Sequence, residues 1–555
     1  MQPTDFQRFS SRLIGGGGNF QTLILHYLRN SLSFFLRGNL DNHRDFFLLI
    51  FTVTLYPMLT KMQDHWYGNP LRMCAAAYVI AYACTLIGTL IRNKYLRNTF
   101  YTTIFLFVLL HCVFQIFSLH VTGAPFDKDR LSAILATNAG EASEFINTYC
   151  TSKTITLLCG LPLLLAVVVW LGRHLRFQAR KTVHCIGILV FLSIIGIAIP
   201  LKDTFYCHTV IQFTVDLSAV YDTFSIKLHH TRPDIKITST DQPPILVWII
   251  GESLTSHHCS LYGYTKPTNP LLQKRVDAGE AFVYTGVQAA ELHTQETFEL
   301  MMNTCTKSIS GNTKWYDCPT LPDIAQAAGY RTIWLSNQSK KGLYDNIVSQ
   351  YADLCDTCVF IGNKFDGAFR KSVDGELLPV FKSALAHPSA KDFYVVHLMG
   401  CHAEFKMRYP ATFARFKEYE YADHPKHQRE QLSTYDNAVL YNDYIVNTLM
   451  SLVADREAVV VYAPDHGLDV FESNPNVASH GNADNPISSK AGHDIPLIIY
   501  TTKAYRQRHP YTVARMKRST SRTFDMEDAI YLMMDLMQCD FASKPAVSRR
   551  SLIRA

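Results

Sequence analysis

Two apolar stretches in the second half of the chain decide its fold. The first is Ile245-Leu-Val-Trp-Ile-Ile250, which runs into Gly251-Glu252-Ser253, and the second is Ala458-Val-Val-Val-Tyr462, which runs into Ala463-Pro464-Asp465-His466-Gly467. Short β-rich runs closed by glycine or proline predict buried strands of a parallel sheet, and open α/β sheets bind ligands outside the carboxyl ends of such strands. The sequence therefore favours an α/β enzyme with Glu252, Asp465 and His466 at its site.

These three side chains offer two oxygen ligands and one nitrogen ligand. Three such ligands with a fourth, open position are typical of catalytic zinc. Taken alone, Glu252 is more simply explained as a helix N-cap or a solvated loop residue, whereas Asp465-His466 followed by Gly467 is harder to explain without a metal. Together the three residues predict a zinc site.

Three further histidines follow predicted strands or lie in glycine-containing loops. The run Asp392-Phe-Tyr-Val-Val-His397 predicts a third strand, which leads to His402, while His480 and His493 come after the Asp465-His466 pair. A single histidine is most often a surface or core residue. Beside a predicted metal site, these three are candidates for binding a second metal or for holding a phosphate group.

The first 201 residues have a different character. Five apolar blocks of about 17 to 24 residues are long enough to cross about 30 Å of hydrocarbon as helices, and they lack the polar stripe of a soluble helix. The predicted transmembrane helices are Phe46–Met62, Met73–Ile91, Phe100–Gly123, Thr154–Gly172 and Thr182–Leu201. About 45 mostly polar residues precede the first block, so a removable leader is not expected and the chain is predicted to stay in the membrane.

Positive charges in the short loops predict the orientation, since Lys and Arg mark the cytoplasmic side. They crowd the N-terminal segment, the second loop and the fourth loop: Arg8, Arg12, Arg29, Arg37 and Arg44, then Arg92, Lys94 and Arg97, then Arg173, Arg176, Arg180 and Lys181. The N-terminus is thus predicted to be cytoplasmic, and five spans place the chain after Leu201 outside. The expected localisation is multi-pass in a bacterial inner membrane, with a periplasmic catalytic domain.

The chain is predicted to form two domains joined by a bridge. Residues 1–201 form the five-helix transmembrane domain, 202–240 the linker and 241–555 the periplasmic domain, which begins just before Pro243-Pro244. Within the linker, Leu217–His229 is either an amphipathic segment on the membrane surface or an ordinary connecting helix. Nucleic acid is not expected as a partner, because the outer domain has no basic stripe interleaved with aromatic residues and the predicted compartment is wrong for it. The net charge of +6 over 555 residues is weak evidence for anionic lipids or glycolipids.

The cysteines after residue 240 are consistent with an oxidising compartment, where disulfides form. The locally spaced candidate pairs are Cys305 with Cys318 and Cys355 with Cys358. Spacing alone does not fix the connectivity. Cys355-x-x-Cys358 is alternatively a redox or zinc motif, although the chain has no second pair of this kind.

Several motifs together resemble the alkaline phosphatase and sulfatase superfamily, and within it the membrane-bound phosphoethanolamine transferases of Gram-negative envelopes. The motifs are Gly251-Glu252-Ser253, Ser260-Leu-Tyr-Gly-Tyr264, Thr268-Asn-Pro270, Ala328-Gly-Tyr-Arg-Thr-Ile-Trp-Leu-Ser-Asn-Gln338, Met399-Gly400 with His402, Asp465-His466-Gly467 and His480-Gly481. With the five predicted spans, the resemblance covers most of the chain. It implies a sulfatase-like α/β/α sandwich as the periplasmic domain.

The resemblance also implies roles for the candidate residues. Glu252, Asp465 and His466 would be the zinc ligands, shared with a threonine nucleophile. His402 and His480 match positions that bind a second zinc or the transferred phosphoethanolamine, and one of them would protonate the leaving alcohol or deprotonate the acceptor. His493 is a further substrate-binding candidate or a ligand of a second metal.

Two threonines are candidates for the nucleophile that the family requires. Glu291-Leu-His-Thr294-Gln-Glu-Thr297 lies at the expected place in the chain. Thr294 is favoured, because it would cap the amphipathic stretch that follows and so meet the positive end of the helix dipole; Thr297 is the alternative. The family's usual threonine followed by Ser, Pro and Cys is absent. Thr255 lies in a stretch where many relatives carry an arginine after the Glu-Ser pair, so substrate contacts are expected to differ from those of the lipid A-modifying members.

The resemblance implies a zinc-dependent transfer of phosphoethanolamine from phosphatidylethanolamine to lipopolysaccharide, on lipid A or a core sugar, or to another envelope glycan. Zinc would lower the pKa of the threonine hydroxyl, and a phosphorylated threonine would form before the acceptor takes the group. One alternative is a glycerol-phosphate transferase, or a phosphatase or sulfatase that passes its ester to water. Another is an inactive membrane protein that uses the same fold as a zinc or envelope sensor or as a scaffold.

Overall fold

The computed structural model describes residues 43–59, 70–121, 126, 131, 152–174, 226–305, 314–340, 347–362, 372–475, 478–483, 485–542 and 551–553. The chain divides into two compact units. One contains the apolar helices of the N-terminal region, and the other contains the described residues from 226 onward.

The first unit is helical where the sequence predicts membrane spans. Its helices are α1 (Arg44–Leu59), α2 (Pro70–Leu90), α3 (Lys94–Val121) and α4 (Ser152–His174). By length and composition, Lys94–His120 and Thr154–Leu171 could each cross a membrane, whereas the apolar parts of α1 and α2 are shorter. The fifth predicted span, 182–201, lies outside the described residues, so the count of five spans stays a prediction.

Apolar contacts hold the helices of this unit together while other apolar side chains face outward. Ile50, Val53 and Ile116 are fully buried in its core. Leu163 and Trp170 on α4 remain 69% and 56% exposed. Large exposed apolar side chains on an apolar helix are typical of a helix that contacts lipid.

The second unit is built on a seven-stranded sheet. Its strands in chain order are β1 (Ile235–Ile237), β2 (Ile245–Gly251), β3 (Ala281–Tyr284), β4 (Val287–Gln288), β5 (Arg331–Ser336), β6 (Thr357–Phe360), β7 (Asp392–His397), β8 (Ala458–Pro464), β9 (Leu497–Thr501), β10 (Phe524–Asp525) and β11 (Cys539–Phe541). The large sheet has the order β3-β9-β8-β2-β7-β5-β6. Strands β8, β2, β7, β5 and β6 run parallel, and β9 is antiparallel to both of its neighbours.

Helices cover both faces of this sheet. They are α5 (Pro270–Asp277), α6 (Thr294–Met301), α7 (Leu321–Ala327), α8 (Ile347–Asp353), α9 (Leu377–Leu385), α10 (Lys426–Leu452), α11 (Pro486–His493), α12 (Lys503–Arg508), α13 (Pro510–Arg518) and α14 (Ala529–Leu536). Alternate side chains of β2 enter two separate cores, Trp248 on one face and Val247 on the other. Because a central parallel strand is buried on both faces, it reads as a continuous apolar run, and the predicted α/β domain is confirmed.

The segment before β2 is attached to this unit by polar contacts. Asp323 on α7 accepts hydrogen bonds from the backbone N–H and the hydroxyl of Thr231, at 3.1 and 2.8 Å. The adjacent β1 pairs antiparallel with β11. Residues 226–240, which belong to the predicted linker, thus make contacts with the second unit.

The described cysteines are all thiols, including both candidate pairs. Cys305 and Cys318 are in hydrogen-bonding contact. The Cys355 thiol lies 3.7 Å from the carbonyl oxygen of Tyr351, and the Cys358 thiol lies 3.5 Å from Oδ1 of Asp353. The structure therefore contains neither of the two predicted disulfides, and the Cys355-x-x-Cys358 thiols are directed at different partners.

Candidate metal centre and nucleophile

The sheet brings the ends of β2 and β8 side by side. The two strands pair in parallel up to Gly251 opposite Pro464, so Glu252 and Asp465 are the next residues on neighbouring strands. Backbone hydrogen bonds continue beyond the strands, from Asp465 N to Gly251 O at 3.1 Å and from Leu254 N to His466 O at 3.0 Å. These bonds fix the two loops relative to each other.

Glu252, Asp465 and His466 form a compact and buried group. One ligand atom from each lies within 4.8 Å of the others. Nε2 of His466 is 3.3 Å from Oε1 of Glu252 and 3.6 Å from Oδ2 of Asp465, and the three side chains are at most 2% exposed. Within the described residues this is the single group of three or more His, Cys, Asp or Glu side chains with such geometry.

The hydrogen bonds of this group fit a cation between the three side chains. Oδ2 of Asp465 is buried without a hydrogen-bond partner among the described residues, and such an atom in a native site implies an ion or a water. His466 Nδ1 donates to the carbonyl oxygen of Gly467 at 2.7 Å, which leaves Nε2 available as a ligand. Two carboxylates and one imidazole suit zinc.

Glu252 is oriented by two side chains. Ser253 donates to Oε1 at 2.7 Å, and Gln338 donates to Oε2 at 3.1 Å. Gln338 follows β5, two residues after the strand ends at Ser336. Sequence reasoning placed Gln338 in a family motif without assigning it a role, although its position just past a parallel strand is the signal that could have identified it.

Thr294 lies at the group and Thr297 does not contact it. The Thr294 hydroxyl is 3.3 Å from Nε2 of His466 and 3.4 and 3.5 Å from the two carboxylate oxygens of Glu252. Thr297 is fully buried, and its hydroxyl donates to the carbonyl oxygen of Glu291 at 3.2 Å. The expectation that Thr294 caps its helix is wrong. His293 occupies the N-cap position and Thr294 is the first residue of α6, so its hydroxyl faces the carboxylates instead.

The candidate histidines occupy different environments around the group. His402 lies in a turn after β7; its Nδ1 is buried without a hydrogen-bond partner among the described residues, and burial lowers the pKa of its ring to about 4. The His480 ring centroid is 5.0 Å from that of His466 and 5.0 Å from that of His293, which sequence reasoning did not single out. His493 ends α11, where its Nδ1 lies 2.7 Å from the carbonyl oxygen of Ser489.

The structure thus brings together Glu252, Thr294, Asp465 and His466, with His480 against His466. His402, His480 and His493 form no second metal-binding group within the described part of the chain. The roles of these three histidines in binding substrate stay predictions.

The charges of the group predict how zinc and pH act together. Burial alone would lower the pKa of His466, but Asp465 and Glu252 raise it to about 9, against an ordinary value of 6.5. The resulting stabilisation of the metal-free fold is complete below pH 6.5 and is lost as the pH rises through about 9. A cation would replace this proton, so we expect zinc to raise the Tm of the full chain more at pH 9 than at pH 6.

Thermal unfolding of EDTA-treated and zinc-loaded protein in detergent, at both pH values, measures this difference. The Thr297→Val variant, which keeps the three ligands, should show the same zinc-induced increases in Tm as the wild type at both pH values. An increase in Tm that is the same at both pH values would contradict the proposed exchange of proton for metal.

Comparison with known proteins agrees with this geometry. The family model described as Sulfatase matches residues 244–538. Phosphoethanolamine transferase EptC of Escherichia coli K12 is 25% identical over 451 residues, which is 75% of this chain and 76% of the relative. Phosphoethanolamine transferase CptA of Salmonella typhimurium LT2 is 26% identical over 451 residues, again 75% of this chain and 76% of the relative.

Solved structures share the fold over both parts of the chain. The integral membrane lipooligosaccharide phosphoethanolamine transferase A (EptA) from Neisseria meningitidis has a TM-score of 0.67 at 18% identity and covers 91% of this chain and 98% of its own. The C-terminal periplasmic domain of EptC from Escherichia coli, crystallised in complex with Zn, has a TM-score of 0.52 at 24% identity and covers 59% of this chain and 90% of its own.

Proposed function

The chain belongs to the sulfatase family, and from this premise we propose that it transfers phosphoethanolamine from phosphatidylethanolamine to lipopolysaccharide, on lipid A or a core sugar. The observation that carries the proposal is the position of the Thr294 hydroxyl, 3.3 Å from His466 and within 3.5 Å of Glu252, at the start of an eight-residue helix. The named activity of the relatives EptC and CptA supports phosphoethanolamine as the transferred group.

Zinc is the proposed cofactor: Glu252, Asp465 and His466 would hold it, and the Thr294 hydroxyl lies beside them. When bound, zinc would lower the pKa of the threonine hydroxyl and offset negative charge on the phosphoryl oxygens. The chain itself supplies the orientation. Ser253 and Gln338 fix the two oxygens of Glu252, and Gly467 fixes the ring of His466.

In the first half of the proposed reaction, Thr294 Oγ1 attacks the phosphorus of the donor. Oγ1 gives up its proton and forms a bond with phosphorus, the bond from phosphorus to the diacylglycerol oxygen breaks, and that oxygen takes up a proton. The first turn of α6 supports this step, because the dipole of a helix stabilises negative charge at its N-terminus. Phosphorylated Thr294 and diacylglycerol are the products.

In the second half, a hydroxyl of the acceptor attacks the same phosphorus. The bond to Oγ1 breaks, Thr294 recovers a proton and the acceptor hydroxyl loses one. His402 is a candidate for taking up that proton because its imidazole is neutral at pH 7, although burial, which lowers its pKa to about 4, also makes it a weaker base. His480, in ring contact with His466, is the second candidate for proton transfer or for contact with the transferred group.

The apolar N-terminal helices support a membrane setting for this reaction. Helices such as Lys94–His120 and Thr154–Leu171 are long enough to anchor the chain in a bilayer. Donor and acceptor would then lie in the same envelope as the enzyme. We propose a multi-pass location in a bacterial inner membrane, with a cytoplasmic N-terminus and a periplasmic catalytic domain.

The test is a transfer assay with the full chain, loaded with zinc, in mixed micelles of phosphatidylethanolamine and lipopolysaccharide. We expect diacylglycerol and phosphoethanolamine-modified lipopolysaccharide in equal amounts, measured by mass spectrometry. Diacylglycerol with free phosphoethanolamine and unmodified lipopolysaccharide would instead identify a hydrolase. Neither product, from protein that retains zinc, would overturn the proposed activity.

A further inference from the structure

A buried carboxylate outside the metal group connects two loops of the site. Asp374 lies in the 3-10 turn Asp374–Glu376, just before α9, and is 3% exposed. Its Oδ1 accepts hydrogen bonds from Met399 N and from Asn337 Nδ2, both at 2.8 Å, and its Oδ2 accepts one from Gly400 N at 2.9 Å. The proposed chemistry gives this carboxylate no role.

The turn that Asp374 holds carries His402. His402 N donates to Met399 O at 3.2 Å and closes the turn. The same turn also contacts the backbone of Glu252. Cys401 N donates to Glu252 O at 2.8 Å, and a Cβ added to Gly400 would lie 2.7 Å from both N and O of Glu252. With a φ of 52° at Gly400, this close approach requires glycine.

The hydrogen bond from Asn337 connects Asp374 to the loop after β5. Asn337 donates to Asp374 and accepts from the Ser372 hydroxyl at 2.6 Å. The next residue, Gln338, donates to Oε2 of Glu252 at 3.1 Å and lies 3.4 Å from Leu398 O. Asp374 therefore connects the loop after β5 with the turn after β7, and both contact Glu252.

We propose that Asp374 is a positioning residue for the transfer reaction, fixing the turn that carries His402 against Glu252. The inference rests on the proposed function. A carboxylate that accepts two backbone N–H groups makes charge-assisted bonds, which are shorter and stronger than neutral ones. Groups behind the first layer of a metal site set the geometry of that layer, and their loss typically lowers activity or metal affinity about 10- to 100-fold.

Asp443 provides a matched control. It is also buried and also accepts two backbone N–H groups, from Leu271 and Leu272 at 2.9 Å each. These bonds join α10 to the first turn of α5 and include no residue of the turn that carries His402. An amide at either position replaces a buried carboxylate that accepts backbone N–H groups, but only Asp374→Asn changes contacts of the site.

The experiment compares Asp374→Asn and Asp443→Asn in the full, zinc-loaded chain. We expect Asp374→Asn to lower kcat about 10- to 100-fold, with the KM for phosphatidylethanolamine and the zinc content unchanged, and Asp443→Asn to keep the wild-type kcat. In a His402→Ala background, adding Asp374→Asn should lower kcat by a further factor of less than about two, because Asp374 acts through His402. Equal losses of kcat in both single variants, or full additivity with His402→Ala, would overturn the inference.

Asp374→Glu keeps the test decisive if Asp374→Asn does not fold. It retains the charge on a longer side chain, so we expect a kcat between those of the wild type and the asparagine variant, with zinc retained. A wild-type kcat for Asp374→Glu would contradict a positioning role. The wild-type assay tests the proposed function separately. An inactive wild type would contradict the proposed function, whereas the comparison of variants tests the role of Asp374.

Discussion

Replacing Thr294 by alanine is expected to abolish the covalent intermediate and to lower transfer by at least about a thousandfold, as loss of a nucleophile does in enzymes that form covalent intermediates. The structure leaves this hydroxyl facing His466 and Glu252 at 3.3 to 3.5 Å. Intact-mass spectrometry of the zinc-loaded chain, after incubation with phosphatidylethanolamine alone, should show one added phosphoethanolamine in the wild type and none in Thr294→Ala.

Thr297→Val and Thr294→Ser are the controls. The Thr297 hydroxyl bonds to the carbonyl oxygen of Glu291, so its loss should cost about 1 kcal/mol of stability and leave the adduct intact. Serine at position 294 retains an attacking hydroxyl and should retain a slower reaction. An adduct that survives in Thr294→Ala and disappears in Thr297→Val would assign the nucleophile to the other threonine.

The strands were the part of the fold that the sequence predicts best. A central parallel strand is mostly apolar because both of its faces are buried. Ile245–Gly251, Asp392–His397 and Ala458–Pro464 are buried at every position, and the carboxylate and imidazole side chains among them, Asp392 and His397, stand at the two ends of one strand. No local sequence pattern predicts that β3 and β6 are the edge strands or that β9 runs antiparallel to its neighbours. Both features depend on how the connecting helices pack.

The ligand residues were predictable for the same local reason, whereas their supporting residues were not. Glu252, Asp465 and His466 follow parallel strands directly, so the sheet alone brings them together. Asp374 and Gln338 support the site through tertiary contacts between segments far apart in sequence. Gln338 comes two residues after a parallel strand, which could place it near the site but does not predict its bond to Glu252, and Asp374 has no such local signal.

The helix that carries Thr294 shows a more specific limit. Threonine beside an amphipathic stretch is a good N-cap by composition, yet the helix begins one residue earlier than that role requires and His293 takes the cap position. Helix ends are uncertain by one or two residues from sequence. At this site, a difference of one residue decides whether the hydroxyl bonds to its own helix or faces the carboxylates.

Converting Asp465 to asparagine is expected to weaken zinc binding by at least about a hundredfold and to abolish transfer with it. Oδ1 of Asp465 already accepts from Ser253 N at 3.3 Å and His466 N at 2.7 Å, while Oδ2 is buried and without a partner among the described residues. An amide has no negative charge to offer a cation. A titration with zinc, followed by competition with a chelator, measures the change in Kd.

The matched variant is Asp443→Asn, which removes a buried carboxylate that accepts backbone N–H groups but lies outside the metal group. It should bind zinc like the wild type, so a comparable loss in both variants would indicate a general effect of burying an amide. Without the metal, Asp465 also has its pKa raised by burial and by Glu252. Asp465→Asn removes this unfavourable buried charge together with the attraction that raises the pKa of His466, so the two effects oppose each other in the metal-free fold. The main cost of the variant should therefore appear in the zinc-loaded protein.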